Sequence, residues 1–295
     1  MNLPRLTQAR APLTHAVQAI NEHGVTSEVS IPAERALTIY VDKRELVTLM
    51  TLGAQPELLV LGYLRNQRLV RSAADIESIT VDWDVGEGLL DGAGVAAVKT
   101  RSGIADIEAR TASKVVTTGC GQGSVFGELL DEIDAVQLPS VAEARLTQAQ
   151  LYGVVNTIRL QESTYKSAGS VHACALFAVG GGGHEMLMFI EDVGRHNAID
   201  TIAGWQWLQS PAVCAGADKL FYTTGRLTSE MVIKSAQMGV PLVVSRSGIT
   251  QMGHRLAQAL GLCTIGRATN RHFLCYSAAD RLLLQPGLAV PATVG

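Results

Sequence analysis

Aromatic residues are scarce, 5% of a 295-residue chain, which removes the stacking platform that single-stranded nucleic acid binders use. No block of like charge occurs, and the formal net charge is only -3, so a general polyanion binder is excluded. Cysteine is sparse and scattered. The five are Cys120, Cys174, Cys214, Cys263 and Cys275, an odd number without a CxxC pair, which speaks against a disulfide framework and against structural zinc. No apolar run is long enough to span a membrane, and residues 1–36 contain no apolar stretch of signal-peptide length. These absences describe a soluble protein of a reducing compartment, with no nucleic acid and no membrane as partner. Hydrophobic residues make up 47% of the chain, enough for one large core or two ordinary ones.

Residues 1–35 lack periodicity and read as a flexible lead-in. Residues 36–143 read as an α+β domain, with a hairpin over 36–50, a helix over 56–64 and strands at 76–83, 94–99 and 114–117. Residues 144–295 alternate strands and helices. A helix from about 146 to 162 precedes strands at 171–179 and 186–190, joined by four glycines. Then come helix 197–208, strand 219–223, helix 229–238, strand 242–245, helix 250–260 and strands 262–265 and 273–276. Such alternation implies a parallel or mixed sheet covered on both faces, an α/β fold.

Cys120 stands in Thr117-Thr118-Gly119-Cys120-Gly121-Gln122-Gly123-Ser124, too rich in glycine for an element interior. A thiol in so open a loop is exposed to chemistry, whereas a packing cysteine has apolar neighbours; locally, a small-residue turn accounts for it equally well. Cys174, Cys263 and Cys275 sit in apolar strands and read as small core residues. Cys214 lies in a loop with nothing to activate it.

Polar residues gather where strands turn into helices, the edge at which open α/β sheets bind ligands. Glu191-Asp192-Val193-Gly194-Arg195-His196-Asn197 offers a glycine turn, a helix start and cationic donors; Asp192 as a cap with Arg195 paired beside it is the simpler alternative. Thr224, Gly225 and Arg226 precede Ser229, with Lys234 further along the same helix. Ser245-Arg246-Ser247-Gly248 and Gly266-Arg267-Ala268-Thr269-Asn270-Arg271-His272 follow later strands. Four such turns on one sheet edge suit a phosphorylated ligand of nucleotide size, although neither a Walker A pattern nor a strand-borne GxGxxG is present. His172-Ala173-Cys174 places cysteine where a zinc deaminase needs its glutamate, and no later cysteine pair follows, so that chemistry is unsupported. His172 is either a core histidine or a ligand contact.

Taken together, Cys120-Gly121 before Gly123, Gly169-x-x-His172, the block Glu191 to Ala198, Thr224-Gly225-Arg226, Ser229-Glu230-Met231 and Lys234 resemble the FdhD/NarQ family of formate dehydrogenase accessory sulfurtransferases. The resemblance runs from about Leu37 to Tyr276. It implies a smaller α+β N-terminal domain and a three-layer C-terminal domain of cytidine-deaminase-like fold without zinc. It implies a cytoplasmic homodimer that takes persulfide sulfur from a cysteine desulfurase. The sulfur passes to the bis(molybdopterin guanine dinucleotide) form of the molybdenum cofactor, destined for a formate dehydrogenase catalytic subunit. Cys120 would carry the sulfur. The guanine-bearing acceptor would be held by His172, Asp192, Arg195, His196, Asn197, Thr224, Gly225, Arg226, Ser229, Lys234, Ser245 and the run from Arg267 to His272. This chain departs from the family pattern at Gly123, where many members have a second cysteine, and at Ala168 and Ser170. Two rivals stand beside this reading: a molybdenum-cofactor-binding chaperone without covalent transfer, and a hydrolase or deaminase with a cysteine nucleophile.

Overall fold

The computed structural model describes residues 3–83, 85, 93–104, 136–210 and 216–288. They form two compact units. The first comprises described residues within 1–104, 162–173 and 190–209, the second those within 136–161, 174–189 and 210–288. Each is assembled from several stretches of chain, so the units differ from the contiguous segments 36–143 and 144–295 delimited from the sequence.

The first unit holds a five-stranded mixed sheet in the order β1-β6-β7-β4-β5. Its strands are β1 (Arg5–Leu6), β4 (Arg35–Val41), β5 (Arg44–Thr51), β6 (Ile76–Asp82) and β7 (Gly94–Thr100). Alternation decides its inner face: Leu37, Ile39 and Val41 of β4 are buried, as are Ala96 and Val98 of β7. Helix α1 (Pro56–Asn66) packs Leu59, Val60 and Leu64 into the same core. Pro56 occupies its first turn, where a missing N–H costs nothing. The expected strands and helix of this region are all present, except the strand at 114–117, which lies outside the described residues.

Residues 1–35 are not a structureless lead-in. Strand β1 joins the sheet beside β6. Strands β2 (Thr14–Ile20) and β3 (Thr26–Pro32) pair in full register as a hairpin. Its main-chain bonds, not burial, hold it; Ile20, Val29 and Ile31 stay exposed, which is why no core periodicity marks it in the sequence. The short helix α3 (Thr164–Ala168) also escaped the sequence reading. Both Glu191 carboxylate oxygens accept from its first amides, Thr164 N (2.5 Å) and Tyr165 N (3.1 Å).

Helix α4 (Arg195–Leu208) crosses α1 at a pair of glycines. A β-carbon on Gly62 would lie 1.6 Å from the Asp200 carbonyl oxygen, and one on Gly204 only 2.0 Å from that of Leu58. No side chain fits between the two backbones. Beyond the crossing, Asn66 Nδ2 donates to Asp200 Oδ1 (2.6 Å) and Arg65 to Ala203 O (2.7 Å), with the Arg65 guanidinium over the Trp207 ring.

The second unit is built on a six-stranded sheet in the order β10-β9-β11-β12-β13-β14. These are β9 (His172–Ala178), β10 (Glu185–Asp192), β11 (Lys219–Thr223), β12 (Leu242–Ser245), β13 (Cys263–Thr269) and β14 (His272–Ser277). The unit boundary falls within β9 and β10. β11, β12 and β13 are parallel, while β9 runs antiparallel to β11 and β14 antiparallel to β13. One face buries Phe177, Leu220, Tyr222, Leu242, Val244 and Ile265 under helix α2 (Gln148–Leu160). The crossover helices α5 (Ser229–Gln237) and α6 (Gln251–Ala259) contribute nothing to that cluster and pack against each other, as right-handed crossovers on the opposite face require. Three layers result, as the strand–helix alternation implied.

Thr147 caps α2 reciprocally with Gln150. Ahead of it, β8 (Leu146–Thr147) pairs with β15 (Leu282–Leu283), two short strands without a sequence signal. Buried Arg281 donates to the carbonyls of Gly261, Ser140, Ala144 and Pro139, pinning the segment that precedes α2. Among the described residues no helix is long and apolar enough to cross a membrane.

Candidate functional site

Each unit carries part of the predicted polar set. In the first, β10 ends at Asp192 and the chain turns through Gly194 into α4. Asp192 is 3% exposed, and four donors surround its carboxylate. Thr51 Oγ1 (2.5 Å) and Leu52 N (3.2 Å) give to Oδ2, while Gly194 N (2.9 Å) and Asn197 Nδ2 (2.9 Å) give to Oδ1. Asn197 Nδ2 donates its other proton to Met50 O (2.7 Å). Burial outweighs these donors and pushes the Asp192 carboxyl up to about 6. Asp192 is thus neither a surface cap nor an ion-pair partner of the kind the simpler alternative supposes. It fastens the end of β5 to the first turn of α4. Arg195 and His196 follow at the start of that helix, both buried. Arg195 Nε finds no acceptor among the described residues, and the Gly194 N-cap supplies no side chain to the helix amides. His172 opens β9, half-buried.

The second unit holds a row of small polar residues across four strands. Cys174 pairs in register with Thr223, Thr223 with Ser245, and Gly266 follows the Val244–Ile265 pair. The hydroxyls of this row shape the turns beyond it. Thr223 Oγ1 accepts from Gly225 N (3.0 Å) and from Cys174 Sγ (3.4 Å). Ser245 Oγ donates to Gly225 O (2.7 Å) and accepts from Ser247 N (2.9 Å). Main-chain bonds stitch neighbouring turns together: Arg246 N to Thr223 O (3.0 Å), Leu227 N to Gly248 O (2.9 Å) and Arg267 N to Ser247 O (2.7 Å). Three exposed arginines stand at this edge, Arg226 and Arg246 on the turns just past β11 and β12 and Arg267 inside β13, where its pairing with β14 is irregular after Gly266. Adjacent strands lie about 5 Å apart, so this is a comb of guanidinium groups on a rigid base, suited to the oxygens of a di- or polyphosphate. Arg267 holds its place at φ 51°, a left-handed conformation unfavourable for a residue with a β-carbon.

The other predicted residues divide by exposure. Thr269, Asn270, Arg271 and His272 form the exposed β13–β14 turn. Thr224 and Ser229 are half-buried. Ala268 points into the core under α2, and Lys234 is wholly buried beside Glu230 (3.6 Å) inside α5; both therefore face inward. Ser245 and Asp192, likewise, spend their side chains on protein groups. Cys174 and Cys263 are buried in the sheet, as their apolar context implied. The hydrogen bond with Cys275, then burial, raises the Cys263 thiol, while the same bond lowers the thiol of half-buried Cys275 against the opposing effect of its burial. Burial also lifts Tyr222, beneath Arg246, to about 12. Cys120, with its glycine loop, and Cys214 lie outside the described residues. Among the described residues no group of three or more His, Cys, Asp or Glu side chains is placed to hold a metal ion.

Thr223 opens the second polar turn that the sequence singles out, whereas Thr51 carried no signal there; only its approach to Asp192 marks it.

Comparison with known proteins adds identity to this geometry. The chain is 27% identical over 256 residues to a sulfur carrier protein FdhD of Listeria innocua, covering 86% of this chain and 92% of that protein. It is 27% identical over 263 residues to the sulfur carrier protein FdhD of Bacillus subtilis, covering 88% and 94%. A crystal structure of a proposed formate dehydrogenase accessory protein from Desulfotalea psychrophila shares the fold, with a TM-score of 0.67 at 23% identity, over 92% of this chain and all of that one. Residues 32–283 match the FdhD/NarQ family, and with most of its length inside that match the chain belongs to the FdhD/NarQ family.

Proposed function

We propose that this protein is a sulfur carrier for formate dehydrogenase maturation, taking sulfur from a cysteine desulfurase and passing it to the molybdenum cofactor in its bis-guanine-dinucleotide form. Family membership supports the carrier role. The observation that carries the choice of acceptor is the arginine comb: Arg226, Arg246 and Arg267 on the carboxyl edge of three parallel strands, based on the Thr223–Ser245 row. Such an edge binds phosphates through guanidinium groups and turn amides, and a guanine dinucleotide presents a diphosphate to it. The Arg195-His196 start of α4 is a second anion-seeking element.

In the reaction, the Cys120 thiolate attacks the outer sulfur of the desulfurase persulfide. The desulfurase cysteine departs as thiolate, and Cys120 becomes Cys-S-SH. That sulfur leaves as a neutral atom, so the reduced acceptor supplies the electron pair that binds it as sulfide, and Cys120 returns as the thiol. Gly123 in place of a second loop cysteine makes Cys120 the sole carrier of that loop. The protein acts in the cytoplasm as a homodimer, with the desulfurase and the formate dehydrogenase catalytic subunit as successive partners.

Intact mass after incubation with desulfurase and cysteine tests the carrier step. The wild type gains one sulfur atom and Cys120→Ala gains none. Formate dehydrogenase activity that matures normally with Cys120→Ala would replace the carrier with a cofactor-binding chaperone.

A further inference from the structure

Asp192 and Asn197 were expected among the ligand contacts, yet the carboxylate oxygens of Asp192 and both amide protons of Asn197 are already engaged within the protein. A carboxylate offers about four lone-pair positions, and those of Asp192 meet the donors from Thr51, Leu52, Gly194 and Asn197. Both protons of the Asn197 amide are spent, on Asp192 and on Met50 O. The cluster is buried, with Thr51 1% and Asp192 3% exposed. Its purpose is mechanical: it ties the end of β5 to the turn from which α4 starts.

Thr51 is the member on which the arrangement turns. Its hydroxyl accepts from Gly53 N (3.1 Å) and donates to Asp192 Oδ2 (2.5 Å). The backbone bend after β5 is thereby coupled through one side chain to the carboxylate that fixes Gly194. Gly194 immediately precedes Arg195 and His196, and a β-carbon there would already crowd Asn197 Nδ2 at 3.2 Å. Backbone position at this turn thus decides where the cationic pair stands.

We propose that Thr51 is a positioning residue of the first unit: acting through Asp192, it sets the turn that presents Arg195 and His196 to an anionic ligand. The proposal deepens the reading of this site as a guanine-dinucleotide binder and rests on it. Thr51 touches no ligand and is not a catalytic residue. Valine at this position keeps the branched shape and removes the donor, leaving a buried carboxylate oxygen short of one bond. Serine keeps the hydroxyl.

The test uses the full-length protein with GDP as probe. Thr51→Val weakens GDP binding about tenfold, the scale expected when a hydrogen bond to a buried charged group is lost, and Thr51→Ser restores it. Amide hydrogen exchange is followed in parallel on peptides covering 50–53 and 194–198. It accelerates in Thr51→Val and returns to the wild-type rate in Thr51→Ser. Should Thr51→Val fail to fold, Thr51→Ala replaces it. A valine variant with unchanged GDP affinity and unchanged exchange overturns the proposal, as does a serine variant no better than valine. If the wild type itself fails to bind GDP, the acceptor reading falls, and the exchange rates alone decide whether Thr51 sets the turn.

Discussion

Arg267 offers a test in which stability and binding move in opposite directions. Its φ of 51° puts the β-carbon against the following carbonyl, while its N–H is held by Ser247 O at 2.7 Å. For a residue with a β-carbon this conformation costs about 1–2 kcal/mol. Glycine escapes that cost but gives up about 0.5–1 kcal/mol through the freedom of the unfolded chain. Arg267→Gly should therefore exceed Arg267→Ala in stability by roughly 1 kcal/mol, a rise of about 2 °C in Tm. The exposed guanidinium is lost equally in both. A charge-assisted bond to phosphate is worth about 1.5–3 kcal/mol, so both variants should bind GDP about ten- to a hundredfold more weakly than wild type. Thermal or urea unfolding gives the first comparison and titration calorimetry with GDP the second. A glycine variant no more stable than the alanine one refutes the strain argument. Wild-type affinity in either variant removes Arg267 from the ligand contacts.

Further outcomes follow from the first unit. Gly204→Ala places a methyl 2.0 Å from Leu58 O, forcing α1 and α4 apart at a cost at or above the usual overpacking range of about 1–3 kcal/mol; an unchanged urea midpoint would contradict this close contact. Asp192 binds its proton more tightly in the folded protein, its pKa being raised from 3.8 to about 6. Its contribution is complete below about pH 4 and is lost as the pH climbs through about 6, a fall of about 3 kcal/mol. Stability from urea unfolding at about pH 4 and about pH 7 should therefore decline less in Asp192→Asn than in wild type, and an equal decline would show that the carboxyl does not titrate in this window.

Periodicity and punctuation made most of the fold readable. Strands β11 and β12 sit where their apolar runs placed them, Lys219–Thr223 and Leu242–Ser245, because Gly239 and Pro241 close one helix and Gly225 opens the next. The hairpin β2–β3 stayed invisible for the opposite reason: main-chain bonds hold it and Ile20, Val29 and Ile31 stay exposed, so no buried face patterned its sequence. The five residues of α3 are too few for a helical period to show. At the site, polar turns after strands located Arg226 and Arg246, whereas Arg267 falls inside β13, where the pairing with β14 is irregular. Whether a polar residue on such a turn faces outward or inward is a tertiary matter. Asp192 and Asn197 look identical to ligand contacts in the sequence and become internal ties because the end of β5, Met50 to Leu52, about 140 residues earlier, comes to meet them.

The glycine crossing of α1 and α4 also sets a schedule for biosynthesis. Helix α1 leaves the ribosome early, yet the groove that accepts it is the flank of Gly204, and this is translated only after β9 and β10. Until Leu208 has emerged, the side of α1 that bears Gly62 lacks its neighbour and lies open to whatever nascent-chain chaperone is at hand. A message broken before the codon for Arg195 would yield an aggregation-prone fragment instead of a shorter working protein.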